Sequence, residues 1–254
     1  MNAQIIRLTA PAKLTLSLRV TGIRSDGFHL IDAEMVTLEL ADELVVDPTG
    51  NGLKISGKFA GELGTNSQAL AANLVSRVLK LTGRNAHVEV TKNIPSGGGL
   101  GGGSADAAAI LRWAGFTDLV AASKLGADIS FCIVGGRARV SGIGEIIEPL
   151  EKNQRQITLV VPPFGVSTPA VYKAFDELTD SCRQKLIHSG VNDLEPAAIK
   201  VEPRLEVWKK KIVDATGVEP TLAGSGSTWW LDGRFENLAD QLPDATVITT
   251  QTCS

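Results

Sequence analysis

Six of the seven residues from Gly97 to Gly103 are glycine, inside the run Pro95-Ser96-Gly97-Gly98-Gly99-Leu100-Gly101-Gly102-Gly103-Ser104-Ala105. Glycine loses more backbone entropy on folding than any other residue. An ordered run of this kind is costly and demands a compensating gain. That gain is a backbone that bends sharply and approaches a ligand closely. The flanks indicate order: Ala86 to Thr91 alternates and reads as a strand, and Ser104 to Trp113 is alanine-rich and reads as a helix. A loop joining a strand to a helix start turns N–H groups outward at the positive end of the helix dipole, which suits an anion such as polyphosphate. The Gly-Lys-Ser/Thr ending of a Walker A loop is missing. No acidic residue follows at the end of an adjacent parallel strand, as the dinucleotide fingerprint requires. A flexible linker is the competing reading, but linkers lie between domains and this run is bracketed by ordered elements.

The rest of the chain mixes strands and helices without a steady βαβ alternation, which is the pattern of an α+β fold. Leu14, Leu16, Leu18 and Val20 alternate with Lys13, Thr15, Ser17 and Arg19, so a half-buried strand is expected there, with Lys13 and Thr15 on its polar face. Asp26-Gly27 punctuates a turn. Further strands are expected over Met35 to Leu40, Leu44 to Asp47, Ile129 to Val134 and Arg137 to Ser141. Ser67 to Leu81 reads as a helix, capped by Asn66 or Ser67. The polar stretch Lys152 to Gln156 separates two apolar regions and predicts domains 1–152 and 153–254. In the second, strands are expected at Ile157 to Val161, Thr228 to Leu231 and Ala245 to Thr250, and helices at Pro169 to Leu178, Glu202 to Thr216 and Phe235 to Gln241.

Composition narrows the partners. The 254 residues suffice for one large or two modest domains. A formal net charge of -3 argues against a dedicated nucleic-acid binder, while a cleft with local positive charge and backbone N–H groups can still take a phosphorylated ligand. With 43% hydrophobic and 21% charged residues the chain reads as a soluble globular protein. No apolar run approaches the length of a membrane span. Met1 to Thr9 lacks a charged segment followed by an apolar one, so a cytoplasmic location with no membrane partner is expected. Cys132, Cys182 and Cys253 are odd in number and far apart, and His29, His87 and His188 are equally scattered, so neither a disulfide framework nor a structural zinc site is expected.

Pro11-Ala12-Lys13-Leu14, the Pro95 to Ala105 loop, and Leu222-Ala223-Gly224-Ser225-Gly226-Ser227 together resemble the three ordered motifs of the GHMP kinase superfamily. Asp26-Gly27-Phe28-His29, Leu125-Gly126-Ala127-Asp128 and Asn192-Asp193-Leu194-Glu195 are similar to one branch of it, which phosphorylates a cytidine diphosphate-linked methylerythritol in non-mevalonate isoprenoid synthesis. The resemblance covers nearly the whole chain. It implies a two-domain GHMP kinase fold, with a first domain like ribosomal protein S5 domain 2 and a ferredoxin-like second domain. It also implies ATP, Mg²⁺ and a small-molecule alcohol acceptor. A monomer or weak homodimer is expected. Another GHMP acceptor and a non-catalytic nucleotide-binding homologue are the alternatives.

The resemblance assigns roles residue by residue. Asp128 resembles the catalytic base that takes the alcohol's proton, and Lys13 the cation beside it. Pro95, Ser96, Gly97, Gly98, Gly99, Leu100, Gly101, Gly102, Gly103, Ser104 and Ala105 would bind the nucleotide, with the Ser104 hydroxyl facing Mg²⁺ or a phosphate and also able to cap the helix. Phe28 and His29 match the cytidine-binding turn, and Tyr172 the opposing aromatic. Gly224, Ser225 and Gly226 would line the substrate phosphates. Asn192-Asp193 would fix the second domain against the cleft. This chain departs from the pattern in four places. Thr15, at a substrate-contact position, stands where asparagine is usual and reaches less far with its hydroxyl, Asp106 replaces an amide or polar residue, Trp113 to Leu125 is short, and Asn66 is the nearest match to the asparagine that contacts adenine.

Overall fold

A computed structural model of the chain describes residues 4–61, 73–181 and 190–253. Its first sheet is organised by a long antiparallel hairpin, β1 (Ile6–Ile23) with β2 (His29–Asp47). β2 pairs with β1 along most of its length, interrupted by three register shifts. Across its other edge it meets β4 (His87–Thr91) through Glu43 to Asp47 and β5 (Arg137–Gly142) through Ile31 to Val36. β3 (Gly52–Ser56) joins β4 in parallel, and β6 (Ile146–Pro149) joins β5 antiparallel. Among the described residues the second sheet has the order β10-β7-β9-β8, all antiparallel: β7 (Gln156–Val161), β8 (Thr221–Leu222), β9 (Trp229–Asp232) and β10 (Thr246–Gln251).

Two strands expected separately, Met35 to Leu40 and Leu44 to Asp47, are one. The polar residue between them does not break the strand, because buried Asp42 accepts from the backbone N–H groups of Asn93 and Ile94. The half-buried strand expected around Lys13 is covered on both faces: from Ala12 to Leu16 every residue is buried, Lys13 and Thr15 included.

Helices pack on the first sheet: α1 (Leu74–Leu81), α2 (Gly102–Ala114), α3 (Leu119–Ser123) and α4 (Ile129–Val134). The last of these corrects an expectation. Ile129 to Val134 is rich in β-branched residues and reads as a strand, but it forms a short helix that buries Ile129, Phe131 and Cys132, where tertiary packing overrides propensity. α1 is capped by Asn73, whose side chain accepts from the Val75 N–H. Asn66 and Ser67, the expected caps, lie outside the described residues. So do Cys182 and His188. α2 starts inside the glycine run at Gly102, with left-handed Gly101 as its cap, so Ser104 is not the capping residue. It ends at left-handed Gly115, with the Phe116 N–H returning to the Leu111 carbonyl.

The second sheet carries α5 (Thr168–Ser181), α6 (Glu195–Val201), α7 (Arg204–Thr216) and α8 (Leu238–Gln241). The single helix expected over Glu202 to Thr216 starts at Arg204 and is preceded by α6. The helix expected from Phe235 starts at Leu238. Both adjacent tryptophans, Trp229 and Trp230, are core residues.

The two parts are stitched by main chain. Leu18 bonds Val191 and Asp193 through its N–H and carbonyl, and the Cys253 N–H reaches the Thr37 carbonyl. No helix among the described residues is long and apolar enough to cross a membrane.

Candidate active site

Three motifs meet at the start of α2. Lys13 sits just after a register shift in the β1–β2 pairing, between Pro11, which has no N–H, and its own pairing with Thr37. Its backbone N–H leaves the sheet to bond the Leu100 carbonyl at 3.0 Å, which ties β1 to the glycine loop. Its ammonium lies 3.3 Å from Asp128 Oδ2 and donates to Thr15 Oγ1 at 3.2 Å. Asp128 occupies the cap position of α4 without capping it, so its carboxylate is free to turn to Lys13. That carboxylate is about a third exposed, while the lysine is covered, which gives an acceptor that solvent or substrate can reach beside a fixed positive charge.

The glycines earn their number through contact. Gly101 has φ +69°, and a Cβ there would lie 2.7 Å from Lys13 Cγ. Gly99 has φ +81°, and a Cβ there would run into the Ala223 carbonyl and sit 2.9 Å from Gly226 Cα. A Cβ on Gly226 would strike the Gly98 and Gly99 backbone in return. The loop and the third motif are therefore packed backbone to backbone, and the Thr228 N–H donates to the Gly98 carbonyl at 3.2 Å. Gly224 brings the third motif to the Lys13 ammonium and Thr15. Buried Asn192 holds that motif from behind: its amide donates to the carbonyls of Leu222 and Gly224. Neighbouring Asp193 accepts from Arg19 and the Val20 N–H of β1. Ser225 exchanges a hydrogen bond with Thr168 at 2.8 Å. Ser104 lies against Gly126, two residues before Asp128.

Beside the loop is a cavity of about 210 Å³, lined by Pro95 to Gly103 with Ile55, Asn73, Lys92, Ile94 and Asp106. Sequence reasoning missed Asn73, Lys92 and Asp42. Lys92 is buried between two carboxylates: it pairs with Asp42 and donates to Asp106 Oδ2 at 2.6 Å. Burial, opposed by Lys92 and reinforced by the Asp42 charge, pushes the Asp106 carboxyl up to about 7. Its second oxygen, Oδ1, is buried without a partner.

The expected base site lies at the far end of the hairpin. Gly27 (φ +88°) turns the chain, and Phe28 is more than half exposed with the Arg24 guanidinium 5.5 Å over its ring. His29 turns inward to α5. Its ring stacks, tilted, 4.6 Å from Tyr172, and Phe175 meets it edge-on at 6.3 Å. Burial, with the Asp128 charge adding to it, pushes the Tyr172 hydroxyl up to about 12.

Residues 69–136 match the family model described as GHMP kinases N terminal domain. The chain is 38% identical over 252 residues to the 4-diphosphocytidyl-2-C-methyl-D-erythritol kinase of Paracoccus denitrificans (strain Pd 1222), spanning 92% of this chain and 88% of that one. It belongs to the 4-diphosphocytidyl-2-C-methyl-D-erythritol kinase family. The kinase of the same name from Rhizobium meliloti (strain 1021) is 34% identical, over 88% of this chain and 84% of that one. A crystal structure of a 4-(cytidine 5'-diphospho)-2C-methyl-D-erythritol kinase superposes with a TM-score of 0.76 at 26% identity, covering 98% of this chain and 100% of that one. The L. major mevalonate kinase, at 13% identity and a TM-score of 0.67, shares the fold. The chain is thus an ATP-dependent small-molecule kinase of GHMP fold.

Proposed function

We propose that this kinase phosphorylates the 2-hydroxyl of 4-diphosphocytidyl-2-C-methyl-D-erythritol, giving the 2-phosphate and ADP. The observation that carries the reading is the Lys13–Asp128 pair, 3.3 Å apart, where β1, the glycine loop and the third motif converge. Asp128 accepts the proton of the hydroxyl as it attacks. Lys13 orients that carboxylate and offsets charge on the phosphoryl oxygens. Thr15, bonded to the lysine, fixes where its ammonium points.

The nucleotide fits the residues present: the cradle is one that Cβ atoms would fill, and the cavity beside it holds an orphaned carboxylate oxygen. When bound, ATP with Mg²⁺ supplies the phosphoryl group and neutralises its charge. No group of three His, Cys, Asp or Glu side chains forms a metal cage among the described residues. That fits Mg²⁺ held mainly by phosphates and water, with Ser104 contributing its hydroxyl. Phe28, His29 and Tyr172 hold the cytidine, and Gly224, Ser225 and Gly226 line the substrate phosphates. The reading carries with it units 1–152 and 153–254, and a cytoplasmic enzyme that is monomeric or weakly dimeric and has no nucleic-acid or membrane partner.

The test is coupled ADP release with the diphosphocytidyl substrate set against mevalonate, homoserine and plain sugars. Turnover of the cytidine-linked alcohol alone is expected. Equal turnover of any of the others would remove the acceptor assignment and leave the kinase.

A further inference from the structure

Arg112 stands in the last turn of α2, the helix that starts in the glycine loop. Its guanidinium reaches two main-chain carbonyls on different elements. One nitrogen of the fork donates to the Cys132 carbonyl of α4, and the other to the Thr9 carbonyl of β1 at 3.2 Å. Among the described residues it pairs with no carboxylate. A guanidinium presents its donors in a rigid plane, so two acceptors bound to one fork are held at a set separation.

Each carbonyl leads to one member of the Lys13–Asp128 pair. Thr9 precedes Lys13 by four residues, and Cys132 follows Asp128 by four. On the α4 side the link is one helical turn: the Cys132 N–H donates to the Asp128 carbonyl at 3.0 Å, and the Cys132 carbonyl accepts from Arg112. On the β1 side the ladder is interrupted. Between Pro11 and Lys13 the partner on β2 jumps from Ala41 to Thr37, and Pro11 has no N–H to give. Side-chain packing does not close the space either. A cavity of about 190 Å³ lies between Pro11 and Thr37 on one side and Phe131 to Gly135 on the other, with Arg112 in its wall. We propose that Arg112 is a positioning residue for phosphoryl transfer: it clamps α4 to β1 and so sets the separation of the Lys13 ammonium and the Asp128 carboxylate. This deepens the role proposed for that pair and rests on it. α4 keeps other ties, from the Thr37 N–H to the Gly136 carbonyl and from the Ser130 hydroxyl to the Leu119 carbonyl. Loss of the guanidinium therefore loosens the pair without unfolding the helix.

The experiment measures single-turnover phosphoryl transfer from ATP to the cytidine-linked alcohol in wild type, Arg112→Ala, Asp128→Asn and the double variant. Arg112→Ala is expected to lower the rate about 10–30-fold, the effect of a misplacement under 1 Å. Affinities for ATP and the alcohol should change less than about threefold. A tie that only stabilises the fold would lower the melting temperature and leave that rate alone. Coupling is the second readout. In the Asp128→Asn background, Arg112→Ala should cost less than about threefold, because the group whose place it sets no longer accepts a proton. A wild-type rate in Arg112→Ala, or losses that multiply in full in the double variant, would overturn the proposal. Should Arg112→Ala fail to fold, Arg112→Lys keeps the charge but not the fork. A loss of roughly three- to tenfold is expected from it, and a wild-type rate there would equally overturn the proposal. Asp128→Asn separates the two levels. If it transfers phosphate as fast as wild type, the reading of the Lys13–Asp128 pair fails. If it is slow while Arg112→Ala is not, only the role of Arg112 fails.

Discussion

The glycine loop and the hairpin tip each turn through positive-φ glycines, yet they are built differently. At Gly99 and Gly101 the neighbours are backbone and a buried lysine stem, and no atom can be added without displacing one of them. At Gly27 nothing lies within 4 Å of where a Cβ would be. The loop is a fixed template made of main chain, held by β1 on one side and the third motif on the other. The hairpin tip is open, and the side chains that pack on it come from α5. In the proposed function, chemistry that demands sub-ångström placement sits on the first, and recognition of a base, which tolerates adjustment, sits on the second.

The sharpest break in that comparison is expected at the centre of the template. Asp128→Asn keeps the shape and removes the proton acceptor. The expected loss in kcat is about 10²–10⁴-fold, the usual worth of a positioned general base, with ATP affinity little changed. Rapid-quench measurement of the phosphoryl-transfer step decides it, and an unaltered rate would remove Asp128 from the chemistry.

Next in size is a pair of matched substitutions. Gly101→Ala and Gly27→Ala both force alanine into left-handed backbone, at about 1 kcal/mol each. Only the first also drives a methyl into Lys13 Cγ. Gly101→Ala is therefore expected to cost roughly 10²-fold in kcat/KM through a misplaced ammonium. Gly27→Ala should lower the melting temperature slightly and raise KM for the cytidine substrate no more than about threefold. Equal losses from the two would show that the contrast between a crowded and an open turn is not functional.

The same contrast explains what could be read from the sequence. The loop was legible because its composition is extreme and its flanks have clear periods. Lys13, Asp128 and the third motif were legible only as motifs in order. Nothing in a linear pattern says that Lys13 leaves the β1 ladder for Leu100, or that Thr15 serves the lysine. The Ile129–Val134 helix was misread because β-branched residues favour strands until packing against α2 decides otherwise. Asp42 and Lys92 were invisible for a different reason. Each looks like an ordinary charged residue near a strand end, and only burial 50 residues apart in sequence makes them partners.

The buried cluster beside the cradle supplies the smallest expected effect and the one with a definite sign. Lys92 carries one positive charge between two carboxylates, so full ionisation leaves an uncompensated negative charge in the cavity that borders the phosphate loop. Burial and the Asp42 charge therefore lift the Asp106 carboxyl from its ordinary value near 4 to about 7, against the pull of Lys92. Between those two values the folded chain holds a proton that the unfolded chain has already released. Stability from this group accordingly falls as pH rises through that window and levels off above it. Asparagine at 106 keeps the shape and cannot ionise, so Asp106→Asn should flatten this part of the profile. Relative to wild type, the variant's melting temperature is expected to rise by roughly 3–5 °C between pH 5 and pH 8, for about 1–2 kcal/mol carried by the proton. Calorimetric scans across that range measure it. Parallel profiles for the two proteins would mean that the excess charge is not settled on Asp106. In that case the template's wall would be as adjustable as the hairpin tip, and the distinction between the two regions would have to be drawn elsewhere.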